Sequence, residues 1–195
     1  MTGFADNKQQ DYEAPLDKAA FLDWVQGRES RFELKGGRIV MMTGGSKNHA
    51  RITGRIAQLL ANALDAEQWA VTSADLAVEI GPDVRYPDVL VEPLDDQGDA
   101  LSTSNPVLIA EVLSPSSAGT GMNEKAAECT SLTSLQTYLV VSQKAPIVWV
   151  WQRDPASGTF PRHPVEIAGR DKAIEIAALG ITLPLAEIFR GIASA

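Results

Sequence analysis

Two acids sit where acids are costly. Asp88 lies in the run Arg85-Tyr86-Pro87-Asp88-Val89-Leu90-Val91, and Glu111 in Val107-Leu108-Ile109-Ala110-Glu111-Val112-Leu113. Both runs are built of strand-forming apolar residues, and a strand interior selects against a charge that must be desolvated. One such acid could be a satisfied core group. Two on neighbouring strands point to a site for a cation, and carboxylate oxygens are what a hard divalent ion such as Mg²⁺ takes.

Three further groups complete a set that could hydrolyse a phosphodiester. That chemistry needs a metal to hold and acidify the attacking water, a charge to stabilise the phosphorane, and help for the leaving oxygen. Asp88 and Glu111 supply metal ligands, and the backbone carbonyl of Val112 is a third oxygen one step along the strand. Lys125, at the start of a following helix, supplies the positive charge, and Glu33 is a candidate outer ligand for a metal-held water. An all-oxygen set suits Mg²⁺ or Mn²⁺ and not Zn²⁺.

In this order the pieces resemble the PD-(D/E)XK nuclease superfamily, and within it the restriction endonuclease-like family abundant in bacterial genomes. Phe32-Glu33-Leu34-Lys35-Gly36-Gly37 resembles that family's aromatic-Glu-Leu-x-x-Gly opening, and Pro87-Asp88-Val89 its PD element. Glu111-Val112-Leu113-Ser114-Pro115-Ser116 resembles its Glu-x-Leu-Ser-x-Ser element, Glu124-Lys125 its helix lysine, and His49 its histidine. The resemblance covers about residues 15 to 190. It implies a metal-dependent DNA endonuclease with Asp88, Glu111, Lys125 and Glu33 in the site. Leu113 stands where the superfamily motif has lysine, so the resemblance moves that role to Lys125. Cys129 stands where the family commonly has tyrosine, and no acid occurs in the stretch 119–122. These departures leave an alternative open: a nuclease-fold protein that binds without cutting. A phosphatase using the same acid pair is a third reading.

The elements that must position these groups follow from periodicity. Leu16, Ala19, Ala20, Phe21, Trp24 and Val25 predict an amphipathic helix over 15–26. Lys35-Gly36-Gly37 predicts a hairpin between Phe32–Leu34 and Arg38–Met42. Ile52, Ile56, Leu59, Leu60, Ala63 and Leu64 form the apolar stripe of a helix ending near 64, which His49 opens. Leu76, Val78 and Ile80 alternate with Ala77 and Glu79, as in a half-buried strand. The runs around Asp88 and Glu111 read as central strands, and 95–104 as an acidic surface loop. A helix is predicted over 122–135, then strands 137–141 and 147–151, then short strands and a helical turn near 185–189. Trp149 and Trp151 share one strand face, which suits packing better than base stacking. The fold class is α/β: a tail over 1–14, then a single restriction-endonuclease-like domain over 15–195, with a central mixed sheet flanked by helices.

Composition narrows the setting. The chain has 195 residues, 45% hydrophobic, which suits an ordinary globular α/β domain. Its start is polar, without the apolar segment of a signal peptide, and no run is long enough to cross a membrane. The single cysteine cannot form an internal disulfide, which fits a cytoplasmic protein. A net charge of −8 argues against nonspecific binding to nucleic acid, though not against a local basic groove. DNA is the expected partner. A homodimer is expected because cutting a duplex calls for two sites and closed two-fold pairing is the commonest assembly.

Overall fold

A computed structural model describes residues 16–42, 44–113 and 121–192. Its elements run α1 (Lys18–Val25), β1 (Phe32–Lys35), β2 (Arg38–Met41), α2 (Lys47–Ala63), β3 (Trp69–Thr72), β4 (Ala77–Ile80), β5 (Asp83–Arg85), β6 (Val89–Pro93), β7 (Ser102–Thr103) and β8 (Leu108–Val112). They continue with α3 (Gly121–Cys129), β9 (Thr137–Val141), β10 (Ile147–Gln152), β11 (Val165–Ala168), β12 (Ala173–Ile176), β13 (Ile181–Pro184) and α4 (Leu185–Ile188).

The central sheet has six strands in the order β11-β10-β9-β8-β6-β3. It is mixed: β8 and β9 are parallel, and the other pairings are antiparallel. Its strands are apolar on both faces because both are covered. Val89, Val91, Leu108, Ala110 and Val112 pack with Ile52, Ile56 and Leu60 of α2, the β12–β13 hairpin and α4. Leu90, Ile109, Tyr138, Val140 and Trp151 face the other way, onto Ala126 and Cys129 of α3 and Val78 and Ile80 of β4. This alternation settles where Glu111 points. It is in phase with Ile109, so it faces the α3 side.

A second sheet, β2-β1-β5-β4-β7, rests against α1, whose Phe21 packs with Leu34, Ala77 and Val84. The β1–β2 hairpin pairs Lys35 with Arg38, leaving Gly36 and Gly37 as a two-residue turn with φ of 56° and 75°. Two successive positive φ values define the turn type that matches strand twist, and glycine adopts them without strain. The chain leaves this sheet at Arg85 and enters the central one at Val89. Tyr86-Pro87-Asp88 is therefore the crossing between the two sheets.

Five sequence expectations need correction. Asp88 lies one residue before β6 and not within the strand, and Lys125 lies midway along α3 and not at its start. The helix predicted over 122–135 ends at Cys129. Thr130 and Ser131 turn their hydroxyls back onto carbonyls of the last turn, Ala126 O and Glu128 O, which competes with helix continuation. The strand at 77–80 is not half-exposed. Ala77 is as buried as Val78, because α1 covers the face that alternation assigns to solvent. The segment 95–104 is not all loop, since Ser102 and Thr103 pair in parallel with β4. The expected tail and the Ser114-Pro115-Ser116 element lie outside the described residues.

Candidate active site

Asp88 and Glu111 meet through strand register. β6 and β8 pair Val89 with Ala110 and Leu90 with Ile109. Continuing that register by one residue sets Asp88 opposite Glu111, and directly opposed residues share a sheet face. Asp88 is held on both oxygens. The Val112 N–H donates to Oδ2 at 2.7 Å, and His49 Nε2 lies 2.9 Å from Oδ1.

His49 reaches Asp88 because of how α2 begins. Ser46 caps the helix, its Oγ accepting from the His49 N–H at 3.1 Å. The Ser46 hydroxyl donates to Gln143 Oε1, and Gln143 Nε2 donates to the Leu113 carbonyl. The helix start is thereby tied to the end of β8. Gly45 lies against the imidazole: a Cβ there would come within 2.6 Å of His49 Cδ2. His49 Nδ1 is buried without a hydrogen-bond partner. The hydrogen bond to Asp88 raises the imidazole pKa above its usual value against the opposing effect of burial, and the Asp88 and Glu111 charges add to the rise.

Glu111 is the costliest charge in the site. Burial pushes its carboxyl up to about 7, the nearby Asp88 and Glu33 charges add to that, and Lys125 pulls the other way. Lys125 Nζ stands 3.6 Å from Glu111 Oε1, and that carboxylate holds the ammonium pKa above its usual value. The helix lysine thus stands beside Glu111.

Glu33 is nearby but engaged. Its Oε2 accepts from Arg85 Nη1 at 3.0 Å, and its Oε1 from the Tyr86 N–H at 3.4 Å. Arg85 also holds Glu128 by two parallel bonds, Nε to Oε1 at 2.6 Å and Nη2 to Oε2 at 2.8 Å. Sequence reasoning assigned nothing to Arg85, Glu128 or Gln143. Two local signals were present: an arginine directly before Tyr-Pro-Asp, and a glutamate one helical turn after Lys125. Cys129 lies in the core beneath the site, where burial raises its thiol pKa.

A small cavity of about 20 Å³ opens between Glu111, Val112, Leu113 and Lys125. That is room for one water or ion. A far larger cleft, about 1100 Å³, lies away from it, between the 25–32 and 92–105 segments. Glu111 and Lys125 border the small cavity, and none of Asp88, Glu111, Lys125, His49 and Glu33 borders the large one. Among the described residues, no three His, Cys, Asp or Glu side chains are grouped as metal ligands. A cation here would rest on two carboxylates, a backbone oxygen and water. Mg²⁺ is commonly held by one or two carboxylates with water completing its shell. The buried, under-compensated Glu111 fits such an ion.

Comparison with known proteins agrees with this architecture. Two proteins of Synechocystis sp. (strain ATCC 27184 / PCC 6803 / Kazusa) are similar. Uncharacterized protein slr1290 is 29% identical over 187 residues, covering 92% of this chain and 96% of its own length. Uncharacterized protein sll1609 is 32% identical over 133 residues, covering 66% and 75%. A crystal structure described as a putative nuclease belonging to DUF820, from Anabaena variabilis ATCC 29413, superposes with a TM-score of 0.73 at 15% identity. It covers 90% of this chain and 98% of that one, and shares the fold. Residues 19–186, from the first helix into the last, match the Uma2 family model, described as "Putative restriction endonuclease". The chain belongs to the Uma2 family.

Proposed function

We propose that this protein is a metal-dependent phosphodiester hydrolase acting on DNA, a restriction-type endonuclease using Mg²⁺ or Mn²⁺. The observation that carries the reading is Glu111, set opposite Asp88 by the β6–β8 register and met by the Lys125 ammonium at 3.6 Å. Asp88, Glu111 and the Val112 carbonyl would hold the cation. When bound, it supplies a Lewis acid for the attacking water and the scissile phosphate.

The chain's own groups do the rest. The Val112 N–H and His49 Nε2 fix the Asp88 carboxylate in one orientation. Lys125 Nζ offsets negative charge as it develops on the phosphoryl oxygens, in a pocket too small to hold bulk water. A preorganised donor of this kind contributes about 10²–10³ in rate. Glu33 holds Arg85 through Oε2, and the lone pairs its two oxygens keep free would let it serve as an outer ligand for a metal-held water.

The test is cleavage of supercoiled plasmid and of a small phosphoester in Mn²⁺, for wild type, Asp88→Asn and Lys125→Ala. The reading expects plasmid nicking by wild type, lost in both variants, with the small ester untouched. Turnover of the small ester alone would turn the reading to a phosphatase. Plasmid bound but uncut would leave a DNA-binding module.

A further inference from the structure

The Arg85 guanidinium is buried and shared between carboxylates that come from distant parts of the chain. Glu33 comes from β1, and Glu128 from α3. Asp83, also on β5, sets its Oδ2 3.7 Å from Nη2. The Glu128 contact is a fork-to-fork pair, the geometry that fixes direction as well as distance. The placement in sequence gives it meaning. Arg85 stands three residues before Asp88, and Glu128 stands three residues after Lys125. On a helix, residues three apart lie on the same side, so a hold on Glu128 is also a hold on the rotation of Lys125 about the α3 axis.

α3 needs such a hold. It is short, from Gly121 to Cys129, and its fully buried residues are the small Ala126 and Cys129, with Met122 packed beside them only in part. Small residues fix the height of a helix over a sheet but resist rotation weakly. Lys125 is a long side chain whose Nζ meets Glu111 at 3.6 Å, so a small rotation of the helix moves the ammonium a long way.

We infer that Arg85 is a positioning residue: by gripping Glu128 while braced on Glu33, it locks α3 so that the Lys125 ammonium stays against Glu111. Glu33 then serves as the counter-charge that keeps Arg85 in place. The inference rests on the assignment of Lys125 to the site under the proposed function. It predicts a link between the crossing that carries Asp88 and the helix that carries Lys125.

The test reads Lys125 directly, with or without nuclease activity. Full-length wild type, Glu128→Ala, Glu128→Gln and Arg85→Lys are treated with an amine-acylating reagent, and the labelling rate of each lysine is followed by peptide mass spectrometry. Released from Glu111, Lys125 should acylate several-fold faster in Glu128→Ala, with Lys18, Lys47 and Lys172 unchanged. Arg85→Lys, which keeps the charge but not the fork, should also release it. Glu128→Gln keeps one acceptor for the guanidinium and should lie between Glu128→Ala and wild type. A general loosening of the fold would raise all lysines together, and that result would overturn the inference, as would a Lys125 rate unchanged in Glu128→Ala. Without Glu128 the buried Arg85 guanidinium keeps Glu33 and Asp83 as partners, and thermal melting of each variant confirms a folded protein before labelling. In the plasmid assay the same variants should lower kcat with little change in KM. If wild type does not cleave, the nuclease reading fails on its own, while the labelling result still decides the clamp.

Discussion

Glu111 carries its proton further up the pH scale than an ordinary glutamate, to about 7 against 4.5, because it is buried beside Asp88. The folded state therefore holds a proton between about pH 4.5 and 7 that the unfolded chain has already released. Stability of the metal-free protein must fall as pH rises through that window, by up to about 3 kcal/mol from this one group. His49 acts in the same direction. Its pKa is also raised by folding, so its contribution is complete below its unfolded pKa and is lost as pH rises through the folded one. Glu111→Gln should flatten the profile and make the metal-free protein more stable than wild type at pH 8. Urea unfolding from pH 5 to pH 8 measures both, and a wild-type stability that rises across this range would contradict the burial of a charge at Glu111. This residue was legible in the sequence, since a strand as apolar as Leu-Ile-Ala-x-Val rarely carries an acid that has no cation to meet. Arg85 was not, although it stands three places from Asp88. Nothing in a local pattern says that its partners lie on β1 and α3, 52 and 43 residues away.

At the scale of elements, the site depends on how α2 starts. Ser46 caps it, places the His49 ring over Gly45, and connects through Gln143 to the end of β8. Ser46→Ala should cost about 1 kcal/mol, the usual value of a lost N-cap. Gly45→Ala should do something different. Its Cβ would overlap the imidazole at 2.6 Å and push His49 off Asp88, lowering cleavage more than stability. Thermal melting alongside plasmid cleavage separates the two, and Gly45→Ala protein with full activity would remove His49 from the account. The apolar stripe of α2, the glycine turn of the hairpin and both central strands could be read from periodicity, because each is encoded within a few residues. The end of α3 could not, because hydroxyl back-bonding at Thr130 and Ser131 outweighs an apolar pattern that runs on to Leu132 and Leu135. Those leucines are buried, but from the turn that follows the helix. The covering of β4 by α1 was likewise invisible, since alternation in one strand says nothing about a second layer arriving from elsewhere.

The whole molecule is acidic, with a net charge of −8, and no described helix is long and apolar enough to cross a membrane. A nuclease with this charge cannot rely on a general electrostatic pull toward DNA. Pairing two sites on one duplex offers another route to useful affinity, and we propose a two-fold homodimer. Sedimentation equilibrium at micromolar protein should give twice the 20.9 kDa chain mass, and a clean monomer would count against it. The order of the motif pieces along the chain already pointed to this fold, while the second sheet and the buried arginine between the sheets emerge only once the chain is closed. The claim on which everything else rests is that Asp88 and Glu111 together hold a divalent cation. Its most direct measurement is a calorimetric titration of Mn²⁺ into wild-type protein and into Glu111→Gln at pH 8, where the Glu111 carboxyl is ionised. Wild type should bind Mn²⁺ saturably, and the variant should not bind it. Absence of binding to wild type, or equal binding to both, would contradict it.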